Sequence, residues 1–147
     1  MGLLKGINPL LTADLLHILR SMGHGDKLCL CDCNFPASKT ASRTTSGKHV
    51  LLTVTLPEAL QAVCSVLPLD FFEKTQASYM APQKGIEMPP AGVEVVTAMK
   101  DAIGEHCEGA KIEPIERFSF YKEAESCFAV VQTLERRPYG KSLKLKF

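Results

Sequence analysis

Leu15, Ile18, Leu19 and Met22 recur at three- and four-residue intervals, so the spacing predicts a helix with one buried stripe. Thr12 stands where an N-cap is needed, and Asp14 falls in the first turn, where the helix dipole favours an anion. Gly23 supplies the expected stop, and His17 falls opposite the stripe on a solvated face. Lys27 to Asp32 carries apolar residues at consecutive positions, the pattern of a central strand covered on both sides.

Beyond this strand, positions 37 to 48 are small and polar without a period and predict a mobile surface loop. Thr45-Ser-Gly-Lys48 lacks the full phosphate-loop pattern. Val50 to Val54 reads as a short strand. Leu56-Pro57-Glu58 then opens a helix with the stripe Leu60, Val63, Cys64 and Leu67, ended by Pro68. Tyr79 to Gly92, with Pro82, Gly85, Pro89 and Pro90, predicts an irregular connection, a rim or lid over a cleft. A further helix is expected from Val93 to Cys107, with Val96, Met99 and Ile103 facing the core.

Lys111 to Ile115 is strand-like, and Pro114 assigns it to an edge. Glu116 to Ala124 reads as a short helix, Cys127 to Thr133 as a buried strand, Arg136 to Lys141 as a turn and Ser142 to Phe147 as a final strand. Strands interleaved with about four helices indicate an α/β protein, a layered single domain over residues 1–147 with a central sheet flanked by helices. There is no internal repeat and no linker.

Composition narrows the function classes. A chain of 147 residues buries about 70% of its unfolded surface, enough for a core without disulfide or metal staples. The net charge of +1 comes from mixed signs, with no basic stripe for nucleic acid. The start lacks a signal-peptide pattern and no apolar run is long enough to span a membrane, so a soluble, cytoplasmic protein is expected. The six cysteines are then expected as thiols. Cys29, Cys31 and Cys33 alternate onto one strand face, which reads as buried apolar surface. A thiolate metal site there, or one using His24 and Asp26, is the sharper alternative, but no second cysteine pair accompanies it.

Chemistry concentrates at one corner. Met22-Gly23-His24-Gly25-Asp26 places a histidine between two glycines where a helix gives way to a strand, and Asp32 stands at that strand's carboxyl end, where α/β sheets gather ligands. An imidazole is populated in both protonation states near neutrality, and the glycines leave room for a ligand ring. Asp26 reads as the residue that holds the turn. Asp70, ahead of Phe71 and Phe72, reads as a turn carboxylate or a functional acid, while Phe118 and Phe120 read as core.

These fragments, with Asn34-Phe-Pro36, Leu67-Pro-Leu-Asp70, Ile115-Glu-Arg-Phe-Ser-Phe-Tyr121 and Tyr139-Gly140, resemble the RbsD/FucU-type sugar mutarotases, closest to the fucose mutarotase branch. The similarity runs in order from Leu4 to Leu145. It implies a compact α/β fold, homo-oligomers with sites near subunit contacts, no cofactor, no metal, and interconversion of the α and β anomers of L-fucose or a similar free monosaccharide. It also implies His24 as proton donor, Asp70 and Tyr121 as further catalytic residues, and Asp32, Arg117, Tyr121 and Tyr139 as sugar-binding positions, with Gly140 and Lys141 at the same corner. Asp70, Tyr121 and Tyr139 all stand as bases for the anomeric proton.

Two departures qualify the resemblance. Lys141, which only donates hydrogen bonds, replaces an asparagine that both donates and accepts. His49 to Thr55 replaces a stretch like Arg-Ala-Asp-Gly before the middle helix. A non-catalytic sugar-binding protein that has kept the pocket is the alternative these departures raise.

Overall fold

The computed structural model describes residues 2–145. Its helices are α1 (Ala13–Ser21), α2 (Ala37–Ala41), α3 (Leu56–Cys64), α4 (Pro90–His106) and α5 (Arg117–Glu125). Its strands are β1 (Lys27–Cys31), β2 (Lys48–Leu52), β3 (Ala77–Ala81), β4 (Ile112–Glu116), β5 (Ala129–Thr133) and β6 (Ser142–Leu145). The strands form one sheet in the order β2-β5-β1-β6-β3-β4. β2, β5 and β1 run parallel, as do β3 and β4, and β6 lies antiparallel between β1 and β3. The chain thus has the expected central sheet flanked by helices.

Alternation along β1 builds both covering layers. Leu28 and Leu30 pack with Leu15 and Ile18 of α1, Leu60 and Val63 of α3 and Met99 and Ile103 of α4. Cys29 and Cys31 face the other way, into a smaller cluster with Phe35, Met80, Phe120, Cys127 and Val130 beneath α2 and α5. Each fully buried leucine contributes about 1.5–3 kcal/mol, so a one-residue register slip in β1 is strongly disfavoured. Cys33 is exposed, so the three cysteines do not share a buried face throughout.

Local signals explain most boundaries. The Thr12 hydroxyl accepts from the Leu15 N–H at 3.2 Å and starts α1. Thr55 and Glu58 close a capping box on α3, whose entry carries Pro57. Pro114 lies in β4, at the edge of the sheet, as its missing N–H requires.

Several expectations are corrected. The helix stop is Met22, in extended conformation, and the left-handed residue of the corner is Gly25 at φ 80°, not Gly23. The predicted loop 37–48 contains α2, which buries Ala37, Thr40 and Ala41 in a segment too short to show a period. α3 ends at Cys64, ahead of Pro68. The connection expected from Tyr79 begins only after Ala81, because Tyr79 lies in β3, a strand that its ladders with β4 and β6 specify more than its own sequence does. α4 starts at Pro90, where proline suits the first helical turn, and the described residues form five helices where about four were expected. Lys146 and Phe147 of the predicted last strand lie outside the described residues.

Candidate active site

The residues singled out in the sequence fall at two ends of β1. At its amino end, the Gly23 N–H donates to Asp26 Oδ2 at 2.7 Å and the Asp26 N–H to the Gly23 carbonyl at 3.2 Å. Asp26 therefore holds the turn, and with Gly25 left-handed it leaves the His24 side chain 70% exposed. His24 Nε2 lies 3.7 Å from Oδ2 of the buried Asp70. That carboxylate is fixed from behind: its Oδ1 accepts from the Phe72 N–H at 2.9 Å, and Gln76 Nε2 donates to the Asp70 carbonyl at 2.9 Å. An imidazole beside a fixed carboxylate is an acid–base pair open to solvent.

At the carboxyl end of the sheet, Asp32, Asn34, Met80, Arg117, Tyr121, Pro138, Tyr139 and Lys141 line a cavity of about 280 Å³. The size suits one small polar ligand. Asp32 is buried, its Oδ1 accepting from the Asn34 N–H at 3.1 Å and its Oδ2 from the Lys141 ammonium. The Tyr121 ring stacks on Phe35 at 5.4 Å and 9°, and the Arg117 guanidinium lies 5.9 Å from the Tyr121 and Phe118 rings. The two phenylalanines read as core divide: Phe120 is fully buried, whereas Phe118 is 60% exposed beside Arg117.

The loop that carries Tyr139 is clamped by a residue the sequence did not flag. The buried Glu135 carboxylate accepts from the Arg137 N–H at 3.0 Å and from its guanidinium at 2.9 Å through both oxygens, and it reaches the Leu56 N–H at 3.4 Å. Burial pushes the Glu135 carboxyl up, but the hydrogen bonds and charge of Arg137 and the Leu56 N–H outweigh it and hold the group below its ordinary value. Gly140 packs on this clamp, since a Cβ there would stand 2.7 Å from Glu135 Cγ, and Tyr139 takes a left-handed φ of 63°. In the sequence only Arg136 to Lys141 reads as a turn, and Glu135 just before it carries no signal.

The fold thus gathers Asp32, Arg117, Tyr121, Tyr139 and Lys141 around one cavity, with Gly140 behind it. It pairs His24 with Asp70 elsewhere. Five strand residues separate the two places, about 16 Å of extended chain. Asn34, Met80 and Pro138 join the cavity unforeseen; only Asn34, three residues past the end of β1, left a signal. The cysteines under the cavity are poor thiolates: burial pushes Cys127 up to about 12 and pushes Cys29 and Cys31 well up. Among the described residues no His, Cys, Asp or Glu group of three converges as metal ligands do. No helix among them is long and apolar enough to cross a membrane.

Comparison with known proteins adds to this geometry. Residues 5–143 match the RbsD / FucU transport protein family. The chain is 36% identical to the fucose mutarotase of Danio rerio, over 95% of this chain and 90% of that one. It is likewise 36% identical to the fucose mutarotase of Homo sapiens, with the same coverage. A crystal structure of the fucose mutarotase from Streptococcus pneumoniae in complex with L-fucose superposes with a TM-score of 0.83, at 27% identity and with 97% of each chain covered.

Proposed function

This chain belongs to the RbsD / FucU family, and from that premise we propose that it is a cofactor-free mutarotase, interconverting the α and β anomers of L-fucose or a similar free monosaccharide. The whole of residues 1–147 acts as one sugar-handling domain. Opening a pyranose needs a proton delivered to the ring oxygen while another leaves the anomeric hydroxyl; closure on the other face reverses both. His24 donates the first proton, and the base is Asp70, Tyr121 or Tyr139. One positioned acid or base supplies about 10²–10⁴ in rate, which suffices for a reaction that free sugars undergo slowly in water. Asp32, Arg117 and Lys141 hold hydroxyls by charge-assisted hydrogen bonds, Tyr139 adds a neutral one, and Tyr121 offers an aromatic face to the sugar's C–H surface.

The observation that carries this reading is the His24–Asp70 pair, exposed on one side and fixed on the other. Its distance from the Asp32 cavity supports a homo-oligomer whose sites are shared: His24 and Asp70 of one copy face the cavity of the next. Exposed apolar residues flank both halves, Phe71 and Phe72 beside Asp70 and Phe118 beside Arg117. A contact between these unlike patches is heterologous, the kind that builds a ring when the rotation between copies closes. A soluble, cytoplasmic assembly acting in fucose metabolism fits this account. Anomer exchange of L-fucose followed by NMR, with and without a catalytic amount of protein, tests this reading.

One observation favours the second reading, a sugar-binding protein without turnover. Lys141 already occupies an oxygen of Asp32, a carboxylate otherwise available to a sugar. That reading expects saturable binding of L-fucose with no added anomer exchange.

A further inference from the structure

The cavity at the carboxyl end of the sheet holds three charged side chains, Asp32, Arg117 and Lys141. Asp32 and Lys141 neutralise each other, with side-chain exposures of only 2% and 9%. The Arg117 guanidinium has no acidic partner among the described residues; its contacts are the ring faces of Phe118 and Tyr121. The neighbouring Glu116 does not line the cavity, and its carboxylate accepts instead from the Phe118 and Ser119 N–H groups at the start of α5. The Glu135–Arg137 pair behind the loop is internally balanced. The cavity therefore carries one uncompensated positive charge, on an exposed guanidinium at its rim, where attraction for an opposite charge on a ligand is weakened by salt.

We propose that this site prefers a reducing monosaccharide bearing a carboxylate, a hexuronate, over a neutral deoxyhexose, and that Lys141 is the specificity-determining residue. The inference rests on the sugar-handling function proposed above. A planar carboxylate matches the forked donors of Arg117, and the Lys141 ammonium, which has three donor hydrogens, keeps one or more for the ligand while it holds Asp32. A cavity of about 280 Å³ takes a six-carbon acid of nearly the size of the neutral sugar and disfavours a bulkier sugar phosphate.

The test is a parallel titration of the full-length protein with D-galacturonate, L-fucose and a hexose 6-phosphate at neutral pH, read by ligand-observed NMR for binding and by magnetisation exchange between anomers for turnover. The expected result is galacturonate binding at least about tenfold tighter than fucose, with the preference falling as salt rises. Lys141→Asn and Lys141→Gln, confirmed folded by circular dichroism, should lose or reverse that preference. Equal or weaker binding of galacturonate overturns the proposal, as do a preference unchanged in both variants and a stronger preference for the phosphate. Galacturonate preference without exchange of any sugar upholds the binding inference and overturns the mutarotase function, so the two failures are distinguishable.

Discussion

His24 Nε2 stands 3.7 Å from Asp70 Oδ2, on the amino side of the strand whose carboxyl end leads into Asp32. The Asp70 carboxylate is buried and tied to the Phe72 N–H, so it presents a fixed oxygen to the imidazole. Asp70→Asn keeps an acceptor for the Phe72 N–H while removing the charge. It is expected to lower kcat for anomer exchange by about 10²-fold with little change in KM, as loss of a positioned acid–base partner does. Exchange kinetics together with a thermal melt check this; a fall in melting temperature large enough to unfold the protein at assay temperature would instead make Asp70 structural.

The proposed sharing of sites between copies is open to a complementation experiment. His24→Ala and Asp32→Ala each lack one half of every site, and each alone is expected to be inactive. In a head-to-tail ring reassembled from equal amounts of both, about a quarter of the contacts join an intact His24 to an intact Asp32. Recovery of about that fraction of wild-type exchange is the expected result. No recovery in assemblies shown to be mixed would place both residues in one chain's site.

Phe72 is 85% exposed next to Asp70, a position that favours burial against another copy. Phe72→Glu is expected to lower the oligomer mass in sedimentation analysis and to lose exchange in parallel. Full exchange by a dispersed monomer would contradict the assembly.

Acid stability should report the Glu135 clamp. Its folded-state carboxyl lies below its ordinary value, so its contribution is fully present above the unfolded value near ~4.3 and is lost as pH falls through the folded value. Glu135→Gln removes this part of the pH dependence and costs about 1–3 kcal/mol at neutral pH, the penalty of weakening buried partners of Arg137 and Leu56. Urea unfolding of both proteins between pH 3 and pH 7 measures it, with roughly parallel curves as the result that would count against the clamp.

Thiol labelling separates the cysteines. Cys33 is exposed, whereas Cys29, Cys31 and Cys127 are buried and their pKa values are pushed up. Brief treatment of the folded protein with an alkylating reagent, followed by peptide mass spectrometry, should modify Cys33 first and the other three only after unfolding.

These expectations depend unequally on the sequence. The α1 stripe, its Thr12 cap, the two-sided burial of β1 and the edge position forced by Pro114 were readable because each is a local rule. β3 was not, since Ala-Ser-Tyr-Met-Ala becomes a strand through pairing with β4 and β6, segments far away in sequence. Likewise Asp32 was legible as a strand-end carboxylate, but nothing in the sequence places the Lys141 ammonium on it across 109 residues. Glu135 stayed hidden for the same reason: its burial follows from the packing of the 135–140 loop on α3, not from its neighbours in the chain. The separation of His24 from the cavity is also tertiary, and it is what makes a second copy part of the account.

Catalysis of anomer exchange is measured by magnetisation exchange between the α and β signals of L-fucose. With a catalytic amount of protein the exchange rate should rise in proportion to protein concentration, and His24→Ala, folded by circular dichroism, should return it to the rate in buffer. Saturable fucose binding with exchange no faster than in buffer, or undiminished exchange in His24→Ala, would contradict it.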